Sequence, residues 1–212
     1  MRNRFDRELT TLNTELIEMG ALIENAIDRA VGALFKQDEA LAERAIEFDS
    51  EVDRKERDIE ARRLNLLLQQ QPVARDLRTV SSALKMITDM ERIGDQAADI
   101  AEITHRLKLT DAPLYDTHIK DMSKSTIRMV KEAVDAFVAR DLNLAQKVIA
   151  EDDEIDGMFV HVRDELINML KREEGSPEAV IDVLMIAKYF ERIGDHATNI
   201  AEWVVFSFTG KH

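Results

Sequence analysis

From Phe5 to about Lys36 the apolar residues fall at Phe5, Leu9, Leu12, Leu16, Met19, Leu22 or Ile23, Ala26, Ala30 and Leu34. A three-and-four spacing sustained this long keeps one face of an α-helix apolar, so the stretch predicts a first helix. The pattern resumes after Asp38, which reads as an N-cap, through Leu41, Ala45, Phe48, Val52, Ile59, Leu64 and Leu67 to about Gln70. Pro72 opens a third helix, Val73 to about Leu107. Thr110, Asp111 and Pro113 break the pattern within Lys108–Pro113, and a second set of three helices follows. These cover about Leu114–Arg140, Leu142–Arg172, and a last one opened by Gly175-Ser176-Pro177-Glu178 and ending near Trp203–Phe208.

The two sets are related. Glu-Arg-Ile-Gly-Asp stands at 91–95 and again at 191–195, an offset of 100, and Ala33–Asp53 aligns with Ala136–Asp156 at an offset of 103. The fold class that follows is all-α: a tandem repeat of two antiparallel three-helix bundles, six helices in all, with units at 1–109 and 110–212.

The repeats carry acids in rows. Residues four apart on a helix lie about 40° apart around the axis and about 6 Å along it, so Glu91, Asp95 and Asp99 form one line. That line borders the apolar arc, whereas Lys85, Arg92 and Gln96 fall on what reads as the solvated stripe. A charged helix face with arginine partners is the ordinary meaning of one such row. Two copies, each with a mid-helix glycine (Gly94, Gly194) that costs about 1 kcal/mol unless something approaches the backbone, favour a paired cation site. Asp49 and Asp53, with Glu56 a turn on, and Asp152 and Asp156 add a second acidic line to each half. If neighbouring helices bring these lines together, the ligand set suits hard divalent cations, Mg²⁺, Ca²⁺ or Mn²⁺, with iron also open. A bound cation would offset the mutual repulsion of the acids.

Composition narrows the classes. With 7 glycines, 3 prolines and 33% charged residues the chain favours long helices over sheet. A formal net charge of -13 argues against nucleic acid or an anionic membrane surface as the main partner. No apolar run approaches a membrane span, and Met1-Arg2-Asn3-Arg4-Phe5-Asp6 lacks the core of a signal peptide, so the expected location is cytoplasmic with no direct membrane insertion. The absence of cysteine excludes disulfides and thiolate metal sites.

The two Glu-Arg-Ile-Gly-Asp motifs, the opening Gln71-Pro72-Val73-Ala74-Arg75-Asp76-Leu77-Arg78 and the tandem units together resemble the PhoU family. This family accompanies the bacterial Pst phosphate transporter and its phosphate-sensing histidine kinase. The resemblance covers essentially the whole chain. It implies a non-enzymatic, homodimeric, cytoplasmic adaptor that negatively regulates phosphate uptake and phosphate-starvation signalling. Its partners would be the transporter ATPase and the sensor kinase. It also implies divalent metal (Mg, Mn, or Fe/Zn) held by Glu91, Asp95 and Asp99, then Glu191 and Asp195, with Asp49, Asp53, Asp152 and Asp156 from the partner helices. Asn199 stands where the first copy has Asp99; it keeps a carbonyl oxygen but loses the charge, which predicts a weaker second site.

The rival reading is a di-iron carboxylate-bundle enzyme, on the strength of Glu102-Ile103-Thr104-His105. Such bundles need two Glu-x-x-His elements, and position 205 is Val205. His196 is weighed as solvated rather than ligating. Arg75, Asp76 and Arg78 are read either as helix-start electrostatics or as a partner surface. The methionines, Met86, Met90, Met169 and Met185 among them, are read as core filling.

Overall fold

The computed structural model describes residues 2–69, 74–107 and 118–210, with side chains over 7–62, 77–107 and 118–210. Six helices occupy them: α1 Arg2–Lys36, α2 Glu39–Gln69, α3 Ala74–Arg106, α4 Ile119–Ala139, α5 Leu142–Lys171 and α6 Pro177–Thr209. No strand occurs among the described residues. The expected break at Lys108–Pro113, the expected start of helix four at Leu114, and Pro72 lie outside what is described, as do the side chains of Arg75 and Asp76. The described part of helix four begins at Ile119.

The turns follow the sequence signals. Asp38 Oδ1 accepts from Leu41 N at 3.0 Å, and Asp141 Oδ1 accepts from Asn143 N at 2.9 Å and Leu144 N at 3.0 Å. Each cap satisfies backbone donors that a first helical turn leaves unpaired. Gln37 and Arg140, equivalent across the repeat, both take the left-handed conformation at φ 56°, so each unit turns from its first to its second helix in the same way. Ser176 Oγ accepts from Ala179 N at 3.1 Å with Pro177 behind it, which starts α6.

Within each unit the three helices pack pairwise, α1 with α2 and α3, and α4 with α5 and α6. The most extensive pairing joins the units, α3 against α6, and α1 also touches α4. The apolar faces therefore merge into one core, running from Leu12, Leu16 and Met19 through Met86, Ile93 and Ile100 to Phe190, Ile193 and Val204. Met86 and Met90 fill it, while Met185 is 40% exposed and does not. Among the described residues no helix is long and apolar enough to cross a membrane.

Candidate metal centres

The acidic lines of α2 and α3 converge, as do those of α5 and α6. Asp49, Asp53 and Asp95 each present an oxygen within 4.8 Å of the others, and Asp156, Glu191 and Asp195 do the same in the second unit. A six-coordinate hard cation holds its oxygens about 3 to 5 Å apart, so both clusters have the dimensions of a divalent site. Glu91 adjoins the first cluster, where the charges of Asp95, Glu56 and Asp53 bear on it. Asp152 adjoins the second, bearing on Asp195. Four carboxylates thus recur at equivalent places: Asp49 with Asp152, Asp53 with Asp156, Glu91 with Glu191, and Asp95 with Asp195.

The mid-helix glycines have a packing cause. A Cβ on Gly94 would lie 2.8 Å from Val52 Cγ1 and 3.4 Å from Asp49 Oδ1, so the bare backbone lets α2 sit close enough for its acids to meet those of α3. What approaches is the neighbouring helix. At Gly194 the equivalent contact is looser, 3.3 Å to Ile155 Cγ2.

Asp99 and Asn199 turn elsewhere, to the seam between the units. Asp99 hydrogen bonds to Tyr189, and Asn199 Nδ2 donates to Asp89 Oδ1 at 3.2 Å. Asp89 and Tyr189 are themselves equivalent positions, so the seam carries two related bonds with the chemistry exchanged. The charge missing at Asn199 is therefore answered at the seam. His196 lies here too, its Nδ1 3.0 Å from Asp89 Oδ1, and Gln96 is only 4% exposed. Both differ from the solvated placement their helix positions suggest, because α3 and α6 cover each other's polar edges. Sequence periodicity within one helix carries no signal for that contact.

The electrostatics differ between the clusters. At Asp49, burial and then the charges of Asp95, Asp53, Asp99 and Glu102 push the carboxyl up to about 6. At Asp195, burial and then Glu191, Asp152 and Asp156 do the same, to about 6, with Lys188 opposing. Burial, then Asp95, raises Glu91 against Arg92; burial, then Glu60, raises Glu56; burial, then Glu102, raises Asp99 against its bond from Tyr189. Among the described residues the first cluster has two cation partners, Arg92, whose Nη1 is 2.8 Å from Asp95 Oδ2 and whose Nε is 3.4 Å from Glu91 Oε2, and Arg57, 3.7 Å from Asp53. In the second, Lys188 Nζ pairs with both oxygens of Glu191, and Thr198 Oγ1 donates to Asp152 Oδ1 at 3.0 Å. Ala98 stands where the second unit has Thr198, and Asp49 Oδ1, unlike the equivalent Asp152 Oδ1, is buried with no hydrogen-bond partner; in the second cluster Glu191 Oε2 is ion-paired with Lys188 but likewise makes no hydrogen bond. A buried carboxylate oxygen without a donor is what a bound cation would satisfy, so the residues fit a divalent ion, most clearly at the first cluster.

His105 is exposed at the end of α3, 3.8 Å from Glu39 Oε1 and on neither cluster.

Comparison with known proteins accounts for the duplication. The PhoU domain family matches twice, over residues 16–104 and 119–204. The chain belongs to the PhoU family. A PhoU homolog of Clostridium acetobutylicum, described as a phosphate-specific transport system accessory protein, is 36% identical over 211 residues, spanning 99% of this chain and 96% of the relative. A Thermotoga maritima protein of the same description is 33% identical, over 98% of this chain and 90% of its own length. The crystal structure of PhoU from Pseudomonas aeruginosa superposes with a TM-score of 0.91 at 33% identity, covering 98% of this chain and 100% of that one. The phosphate transport system regulatory protein PhoU from Streptococcus pneumoniae gives 0.91 at 28% identity, with 98% of each chain covered. The PhoU match gives no support to the di-iron enzyme alternative.

Proposed function

We propose that this chain is a metal-braced, non-enzymatic accessory protein that restrains phosphate uptake and phosphate-starvation signalling from the cytoplasm. The observation that carries the reading is the double PhoU match over a fold with no nucleophile elbow or phosphate loop in its sequence. Relatives alike over nearly the whole chain are named for phosphate-specific transport, which supports a role beside that transporter. The partners are the transporter ATPase and the phosphate-sensing kinase, met by the long helix faces of a homodimer.

The metal part rests on the paired clusters. Asp49, Asp53, Glu91 and Asp95 hold a divalent cation of the Mg²⁺ or Mn²⁺ class, or iron, and Asp152, Asp156, Glu191 and Asp195 hold a second more weakly. The ranking follows from equivalent oxygens: Asp152 Oδ1 already accepts from Thr198, while Asp49 Oδ1 has no donor. Bound metal would fasten α2 to α3 and α5 to α6.

Deletion of the gene tests the role. Phosphate uptake and starvation-gene expression stay high in phosphate-rich medium, the reintroduced gene restores repression, and the protein co-purifies with the transporter ATPase or the kinase. Normal repression in the deletion strain would overturn the regulatory reading.

A further inference from the structure

A third group of potential ligands lies away from both acidic clusters. His118, His161 and Glu165 present ligand atoms that all fall within 4.8 Å of one another. His161 and Glu165 are four apart on α5, which puts them on one face, and His118 precedes α4. Both imidazoles converge on a single oxygen: His118 Nδ1 is 2.5 Å and His161 Nε2 is 3.4 Å from Glu165 Oε1. The rings meet edge to face with centroids 4.6 Å apart.

The equivalent place in the first unit shows what an ordinary helix strap looks like here. At the offset of 103, His118 corresponds to Glu15, His161 to Asp58 and Glu165 to Arg62, and Arg62 Nη1 donates to Glu15 Oε1 at 2.8 Å. One arginine and one glutamate suffice to tie those helices. The second unit instead gathers two imidazoles about one carboxylate. Nor is His118 there to cap α4, since its side chain makes no cap bond; its backbone N–H donates to Glu165 Oε2 at 3.1 Å, which fixes that carboxylate beside both rings.

We propose that His118, His161 and Glu165 form a binding site for a borderline divalent cation of the zinc class, separate from the acidic clusters. Two imidazoles and a carboxylate are the ligand set of open zinc and ferrous sites, whereas hard cations take oxygen alone. Around a tetrahedral metal with bonds of about 2.0 to 2.1 Å the donor atoms stand about 3.3 Å apart, so His161 Nε2 already sits at a suitable distance from Glu165 Oε1 and His118 Nδ1 draws back from its 2.5 Å contact on binding. The two imidazoles, with 57% and 60% of their side chains exposed, have the freedom to make that adjustment. The remaining coordination positions face solvent, where water completes the shell.

Cobalt titration of the full chain, with excess Mg²⁺ present to occupy the acidic clusters, reads the site directly. Four-coordinate Co²⁺ with nitrogen ligands absorbs strongly in the visible, and Zn²⁺ should displace the band. His118→Ala with His161→Ala abolishes the band and weakens Zn²⁺ binding at least tenfold, while His105→Ala leaves both unchanged. Both substituted histidines are largely exposed, and circular dichroism verifies that the helices persist. Retention of the band and of Zn²⁺ affinity in the double histidine variant, or no intense band in the parent protein, overturns the proposal.

Discussion

Asp49 concentrates the electrostatic tension of the molecule in one side chain. Its carboxyl titrates near 6, against 3.8 for an unperturbed aspartate. A folded-state value raised above the unfolded one means that the native protein binds the extra proton between those two pH values. Stability of the metal-free protein therefore falls as pH rises from about 4 through about 6, and the loss persists at neutral pH. Asp49 is only half-buried, so solvent screening reduces the effect to about 1 kcal/mol. Asp49→Asn should raise the urea midpoint of chelator-treated protein at pH 7.5 and leave it nearly unchanged at pH 4. The same substitution should shrink the stabilisation that added Mn²⁺ provides. A variant that is less stable without metal at pH 7.5 would show that Asp49 is held by contacts other than these repulsive ones.

Among the elements, α2 and α3 meet where Gly94 leaves room. An alanine there would put a methyl 2.8 Å from Val52 Cγ1, and Val52 is fully buried with a stiff branched side chain. Gly94→Ala should destabilise the fold by about 1 to 2 kcal/mol despite its better helix propensity. Gly194→Ala, meeting Ile155 at 3.3 Å, should cost less or nothing. Denaturant titration of the two variants gives the comparison, and equal effects would contradict the packing account. The six helices were legible in the sequence because each repeats its apolar positions at helical spacing for many turns and is punctuated by Asp38, Asp141 or Ser176-Pro177. The convergence of the acidic lines was legible too, since the repeat exposes both. The seam was not. His196 and Asn199 sit at polar helix positions, and only the non-local packing of α3 on α6 places them against Asp89 of the other unit, while Gln96 at the equivalent place in α3 is buried. The grouping of His118 with His161 and Glu165 was not legible for the same reason, because His118 precedes α4 while the other two lie on α5.

Across the whole molecule the two units share one core through α3 and α6, although the sequence spells them as separate repeats. A shared core unfolds as one body, so calorimetry of the metal-free protein should give a single cooperative transition, with calorimetric and van't Hoff enthalpies equal. Two resolved transitions would mean that the seam is weaker than its packing indicates. Metal bound at the clusters would link neighbouring helices within each unit, and binding to the folded chain alone should raise the transition temperature with metal concentration. Equilibrium Mn²⁺ titration, followed by the electron paramagnetic resonance of the free ion, tests the central claim most directly. Parent protein should show two classes of bound Mn²⁺; Asp49→Asn with Asp95→Asn should remove the tighter class, and Asp156→Asn with Asp195→Asn the weaker one. Unchanged binding in both double variants would contradict the assignment of these clusters as metal sites.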